Sequence, residues 1–350
     1  MTEEILCAAL GSGLFATLVG LNAQYLGRLL GLLDFPDPVG GRKRHSHVTP
    51  LMGGTAVLIP IVLMLFAMFF GFADAPAAAR GELGIIGCLV AVFYVVGASD
   101  DRWELSPRFR LVVAVAAFSL GMILVPALDI QSLRFELVGS RPGEVQTIAL
   151  GSLSGIFTLF CMVGLLNAVN MADGKNGLVI GLSLMWTGFL SLYAPEHVEG
   201  VLLVVAAALA VALYFNLRGR FFLGDGGSYG LSALFGALAI YVYNQPESAL
   251  SAGPVAVWFI IPVLDCLRLL TTRLLKGRSP FSGDRDHLHH HLGYLIGWPN
   301  GLLVYWSMVG IPSIASYVLP EFNLQILVAV ALVYTMVITI AYRRQTVNAS

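Results

Sequence analysis

Apolar residues run along this chain in long blocks, and the polar ones arrive in short clusters between them. Blocks long enough to cross roughly 30 Å of hydrocarbon at about 1.5 Å per residue lie near 5–28, 51–72, 83–99, 109–128, 149–169, 178–194, 200–215, 229–244, 254–275, 301–319 and 323–342. They predict an all-α fold: a polytopic integral membrane protein of about eleven transmembrane helices. Connections are mostly short and no internal repeat stands out, so residues 1–350 read as a single membrane domain. Glu3 and Glu4 stand where a secretory signal would carry Lys or Arg, and the first block is expected to be a retained span. Between the fourth and fifth spans, 130–137 alternates and a Gly/Pro-containing turn leads to 145–148, which predicts a small hairpin.

Composition supports the membrane reading. With 57% hydrophobic and 12% charged residues, the chain lacks the charge that a soluble surface needs. A net charge of −1 offers no basic excess for a nucleic-acid backbone. Cys7, Cys88, Cys161 and Cys266 sit singly in apolar blocks, so neither a disulfide framework nor a zinc ribbon is expected. Of the 20 Lys and Arg, only Arg80, Arg134 and Arg141 fall in loops after even-numbered spans. Basic residues accumulate on the cytoplasmic side, which predicts the amino terminus outside, a periplasmic hairpin, and Arg343 and Arg344 inside. The cytoplasmic loops are then 29–50, 100–108, 170–177, 216–228 and 276–300, and they gather Asp, Asn, His, Arg and Gly on one membrane face.

The chemistry sits in those loops. Residues 167–177, NAVNMADGKNG, form a polar island between apolar blocks; they read as a site, or as a loop whose Asp caps the next helix. Asp100 and Asp101 close the third span. Adjacent carboxylates repel unless a cation or a shared proton is present, and Arg102, Arg108 and Arg110 follow to hold phosphate oxygens; a solvated helix end would look the same. Asp225 lies in GDGGS at 224–228, where glycines let backbone N–H groups converge at a helix start. That is an anion cradle with a metal-binding carboxylate, or a Gly-rich turn with Ser228 as N-cap. Mg²⁺ takes one or two carboxylates plus phosphate oxygens and water, so Asp225 with one neighbour would suffice. The string DRDHLHHH at 284–291 holds four histidines in five positions. Zinc would call for further ligands, whereas imidazoles beside Arg285 suit pyrophosphate or sugar hydroxyls. Asp265 ends IPVLD, and pairing with Arg268 reads as readily as a site role. Arg42, Lys43, Arg44 and His45 carry the positive-inside signal and together would draw an anionic lipid headgroup.

In series, these motifs resemble the bacterial polyprenyl-phosphate N-acetylhexosamine-1-phosphate transferases, the WecA-type glycosyltransferase family 4, with the MurNAc-pentapeptide transferases as more distant cousins. The resemblance runs from about Asp34 to His291. It comprises D-x-P, RKRH and PLMGG over 34–54, DD…LSPxxR over 100–110, NxxNxxDGxxG over 167–177, GDGGS, IPVLD over 261–265 and SPFxxDRxHLHH over 279–290. It implies transfer of an N-acetylhexosamine-1-phosphate, GlcNAc-1-phosphate by default, from a UDP-N-acetylhexosamine to undecaprenyl phosphate at the bacterial inner membrane. UMP would leave, Mg²⁺ would be required with Mn²⁺ as its substitute, and the product would start an O-antigen or related surface glycan. By motif position, Asp225 is implied as the main metal ligand with Asn170 or Asp101 beside it, and Asp100, Asp101 and Asp225 as the catalytic acids. Arg110 is implied near the phosphates. Arg285, His287, His289 and His290 would hold pyrophosphate and sugar, Asp173 and Asn176 the nucleotide, and Asp265, Lys43 and His45 complete the substrate-binding set. Membrane lipid and a second copy of the chain are the expected partners. There are two departures: Asn176 replaces the usual Asp of DGxDG, and two extra residues near 39–41 separate Asp34 from RKRH. The rival expectation is a transporter of an anionic solute with a polar cytoplasmic gate, which would carry ionisable residues at mid-span.

Overall fold

The computed structural model describes residues 3–36, 47–139, 145–279 and 285–349, so the candidates Lys43 and His45 lie outside the described residues. In chain order the elements are α1 (Glu3–Leu21), α2 (Ala23–Leu30), β1 (Leu33–Asp34), β2 (Thr49–Pro50), α3 (Gly53–Phe69), α4 (Ala77–Trp103), α5 (Pro107–Leu124), β3 (Ser132–Glu136), β4 (Val145–Ala149), α6 (Ser154–Ala172), α7 (Leu178–Ser191), α8 (Glu196–Leu217), α9 (Gly224–Tyr243), α10 (Ala252–Leu275), α11 (Leu288–Ile296), α12 (Asn300–Val318) and α13 (Asn323–Ala349). The first expected apolar block divides between α1 and α2, each of the others falls on one helix, and the protein is an all-α, polytopic membrane protein. Among the described residues, eight helices are long and apolar enough to cross a bilayer, while α3 and α7 are apolar but shorter. β3 and β4 pair antiparallel, Ser132 opposite Ala149 and Glu136 opposite Val145.

Helix extends further into the polar segments than the hydrophobic pattern alone indicates. α4 continues through Asp100 and Asp101, α9 begins at Gly224, and α11 occupies part of 276–300. Keeping the ladder intact satisfies backbone groups that a loose loop at a membrane face would leave to compete for water. α4 stops where Glu104 turns to φ 49°, its N–H still bonded to the Asp100 carbonyl.

Chain contacts divide the protein into two compact units. The first comprises Met1–Ile130 with Ser152–Ala249, the second Gln131–Gly151 with Leu250–Ser350. In the first, α9 is the central pillar: Gly226 through Tyr243 are all buried, as expected of a helix apolar on every side. α4 packs along it, with α3 and α6 also against it. The approach is close because the contacting residues are small. A Cβ on Gly97 of α4 would run into the Asp225 carbonyl, and one on Gly54 of α3 would come within 2.5 Å of the Gly227 nitrogen. The lead-in to α9 is zipped to the start of α3 by Phe222 N–H to Pro50 O (2.8 Å), Gly53 N–H to Phe222 O (2.9 Å) and Gly54 N–H to Leu223 O (2.9 Å). In the second unit, α10 packs on α12 and α13, with α11 against the same two helices.

Candidate active site

The first turn of a buried helix leaves N–H groups that need partners. At α9 the partner comes from another helix: the Asp101 carboxylate accepts from Asp225 N–H (2.9 Å) and Gly226 N–H (3.1 Å). Gly224, at φ +77°, turns the chain into the helix with its Cα facing that carboxylate. Ser228 is therefore inside the helix, not its cap. Asp101 holds the position of Asp225 as firmly as it contributes charge beside it.

Around Asp225 the other motifs of the first unit close in. Asn170, in the last turn of α6, donates from Nδ2 to Asp225 Oδ1 (2.7 Å) and to Ser228 Oγ (3.0 Å). Asp100 is buried, accepts from Leu105 N–H (2.7 Å), and lies within hydrogen-bonding reach of the Asp225 carboxylate. Arg110, on α5, donates from Nη1 to Asp100 Oδ2 and to the Tyr229 hydroxyl (3.0 Å). Among the described residues, three carboxylates thus meet with one guanidinium bonded to one of them. Asp173 follows α6 directly and is half-buried; burial and the charge of Asp101 push its carboxyl up to about 8.

Two residues that no motif singled out complete this unit. Tyr229 anchors Arg110, and the buried Asn216 ties two loops together. Its Oδ1 accepts from Gly177 N–H (2.6 Å) and its Nδ2 donates to Phe221 O (3.0 Å). Gly177, at φ +84°, ends the 173–177 loop and begins α7. Lys175 and Asn176 lie half-buried in that loop. The Asp in this loop does not cap α7.

The second unit has its own ionic centre. Asp265 of α10 is buried and accepts from Arg268 (3.0 Å), from the Tyr334 hydroxyl (2.8 Å) and from the Leu288 N–H that opens α11, with His287 Nδ1 at 3.2 Å. Arg268 makes further bonds to the Tyr334 and Tyr342 hydroxyls and to the side chain and carbonyl of Asp286. Asp286 also accepts from Tyr342 (2.6 Å) and sits 2.7 Å from His291 Nε2. These bonds hold the Asp286 carboxyl at about 2. The Asp265–Arg268 pairing read from the sequence is present, inside a larger network. His287, His289 and His290 cluster, ring centroids 4.2 to 6.1 Å apart; Arg285 is exposed just before them.

The oxygen-rich set in the first unit suits a hard cation. Asp225 and the side-chain carbonyl of Asn170 offer oxygens, and carboxylates this close require a cation or a shared proton. Among the described residues no group of three or more His, Cys, Asp or Glu is arranged to hold a metal ion. A magnesium site of one or two carboxylates completed by phosphate oxygens and water does not need one.

Comparison with known proteins bears on the same residues. The model for "Glycosyl transferase family 4" matches residues 83–243, a span that holds Asp100, Asp101, Arg110, Asn170, Asp173, Asn176 and Asp225. A Yersinia pestis protein named undecaprenyl-phosphate alpha-N-acetylglucosaminyl 1-phosphate transferase is 34% identical, over 75% of this chain and 69% of its own. The protein of the same name from Escherichia coli K12 is 32% identical over 79% and 73%. A Mycobacterium tuberculosis decaprenyl-phosphate N-acetylglucosaminephosphotransferase is 31% identical over 77% and 70%. These relatives are transferases by name, and the transporter expectation finds no support among them.

Proposed function

The chain belongs to glycosyl transferase family 4, and on that premise we propose that it moves N-acetylhexosamine-1-phosphate, GlcNAc-1-phosphate first, from a UDP-sugar to undecaprenyl phosphate, releasing UMP. The observation that carries the proposal is the cluster of Asp100, Asp101 and Asp225 at the start of α9, with Asn170 and Arg110 bonded into it. The lipid phosphate is already mostly dianionic at neutral pH, since a monoester's second pKa is about 6. Bringing it to a pyrophosphate is the harder part, and charge compensation is what the site must provide.

Asp225 and Asn170, with Asp101 beside them, would hold Mg²⁺, which supplies positive charge to the donor's pyrophosphate. Asp101 positions Asp225 by capping α9. Arg110 uses Nη1 on Asp100 and Tyr229 and turns Nε and Nη2 to phosphate oxygens. Asp100, fixed by Leu105 and Arg110, orients the attacking phosphate and takes its residual proton. Asp173, held largely protonated at pH 7, donates to the nucleotide, with Asn176 beside it. Roles for Arg285, His287, His289 and His290 in holding the donor rest on their motif. The site faces the cytoplasm, with the amino terminus outside, as the distribution of Lys and Arg indicates.

The test is the purified protein with undecaprenyl phosphate, Mg²⁺ and a panel of UDP-sugars, following UMP. UMP release that needs both the lipid phosphate and a UDP-N-acetylhexosamine is expected. Lack of UMP release with every donor would end the proposal, and a labelled sugar phosphate trapped on the protein without lipid would replace direct displacement by a covalent route. His289→Ala in the same assay tests the histidine roles. Cysteine-accessibility labelling of each loop in intact cells tests the orientation.

A further inference from the structure

α1 and α2 form a nearly continuous rod, because the ladder passes through Asn22: its N–H bonds to Leu18 O and its carbonyl accepts from Leu26. From Glu3 to Leu30 the rod is about 42 Å long at about 1.5 Å per residue, against roughly 30 Å of hydrocarbon. Its last turns therefore stand at headgroup level. One stripe stays exposed throughout: Leu10, Leu14 and Leu18 on α1, then Leu21 (58% exposed), Tyr25 (68%) and Leu29 (67%). The opposite face of α2 is buried through Ala23 and Gly27, where a Cβ on Gly27 would come within 2.9 Å of Pro50.

Arginines frame the headgroup end of this stripe. Arg28 is exposed on α2. Arg102 donates to Leu30 O (3.0 Å), and its guanidinium lies 4.9 Å from the centroid of the exposed Trp103 ring. Arg220 reaches Leu21 O (3.4 Å). The sequence holds no Asp or Glu from 5 to 33; on the other segment Arg102 stands between Asp101, whose carboxylate is turned to the first N–H groups of α9, and Glu104. An apolar stripe that runs on into an aromatic and arginine-rich end matches the profile of a phospholipid, with chain below and phosphate above.

We propose that this corner is a specific seat for an anionic glycerophospholipid of the surrounding bilayer. The acyl chain lies along Leu10 to Leu18 and the headgroup phosphate meets Arg28 beside Tyr25, with Arg220 below it at the level of Leu21 and Arg102 with Trp103 above it at the level of Leu30. The seat is separate from the transfer reaction, and a failure of either leaves the other standing. The full-length protein would be reconstituted in nanodiscs of phosphatidylcholine with an equimolar amount of phosphatidylglycerol, then stripped in mild detergent, and the retained lipid quantified. Retained lipid enriched in phosphatidylglycerol is expected, with the enrichment reduced about fivefold in Arg28→Gln and kept in Arg28→Lys. Equal retention of the two lipids by the unaltered protein would overturn the proposal, as would an Arg28→Gln protein with undiminished enrichment. Displacement of the retained phosphatidylglycerol by an equimolar amount of undecaprenyl phosphate would also overturn it, since the seat would then belong to the substrate.

Discussion

The two units treat buried acids in opposite ways. In the second, Asp265 and Asp286 share Arg268, two tyrosine hydroxyls, nearby histidines and the first N–H of α11. Arg268, the tyrosine hydroxyls, the histidines and the Leu288 N–H give both carboxylates several hydrogen-bond partners, so the network locks α10, α11 and α13 together. In the first, among the described residues, three carboxylates meet at the start of α9 with Arg110 bonded to one of them. That imbalance is unfavourable in isolation and is resolved by whatever positive charge arrives. Hydrogen bonds satisfy the second pair of acids, whereas at the first cluster added positive charge would gain the most.

The sharpest way to break this contrast is Asp225→Ala. If the first cluster exists to gather positive charge for the donor, UMP release should fall by roughly a thousandfold, the scale of several kcal/mol of lost charge stabilisation, while the unfolding temperature in detergent stays unchanged or rises. An active variant would reduce the cluster to a helix cap.

The converse substitution is Arg268→Ala. It strands Asp265 and Asp286 without their shared cation, and the second unit should lose about 3 kcal/mol, read as a lower thermal unfolding midpoint. The double variant Arg268→Ala with Asp265→Asn should recover part of the loss. A single variant as stable as the unaltered protein would show that the tyrosines and histidines suffice.

A smaller and more local effect concerns how the first cluster is held. Gly97→Ala places a methyl against the Asp225 carbonyl, whereas Gly81→Ala on the same helix meets open space. The first should destabilise by about 1–3 kcal/mol and lower kcat by shifting Asp225. The second should be neutral or stabilise by about 0.5–1 kcal/mol. Equal effects in kinetics and thermal melts would mean that the close crossing of α4 and α9 does not set the geometry.

Much of this was legible in the chain. The helices follow from the length of the apolar blocks, since hydrocarbon leaves the backbone little alternative, and the acids of the first cluster stand out because charge is rare in such a sequence. Other features left no local trace. The cap of α9 comes from Asp101, 124 positions away, whereas nearby sequence offers Ser228 for the part. Asn216 ends an apolar block with no partner spacing to mark it. Tyr334 did carry a signal: a buried tyrosine hydroxyl needs a partner, whereas Tyr342, eight residues on, is exposed and left none.

The mildest test uses pH, and its sign differs between the units. Asp286 is held at about 2, below its ordinary 3.8. The unfolded chain therefore binds that proton first as pH falls, and the stability contributed is complete above about 4. It is lost as pH drops through about 2. Asp173 is raised from 3.8 to about 8, so the folded chain keeps a proton that the unfolded chain has released, and stability should decline as pH rises from about 4 to about 8. Solvent contact at both groups keeps the effects modest. Thermal midpoints of the unliganded protein across this range should fall more steeply than those of Asp173→Asn, whose amide cannot ionise. Parallel curves for the two proteins would mean that Asp173 is as acidic in the fold as in water, and the first cluster would then be less short of positive charge than its geometry indicates.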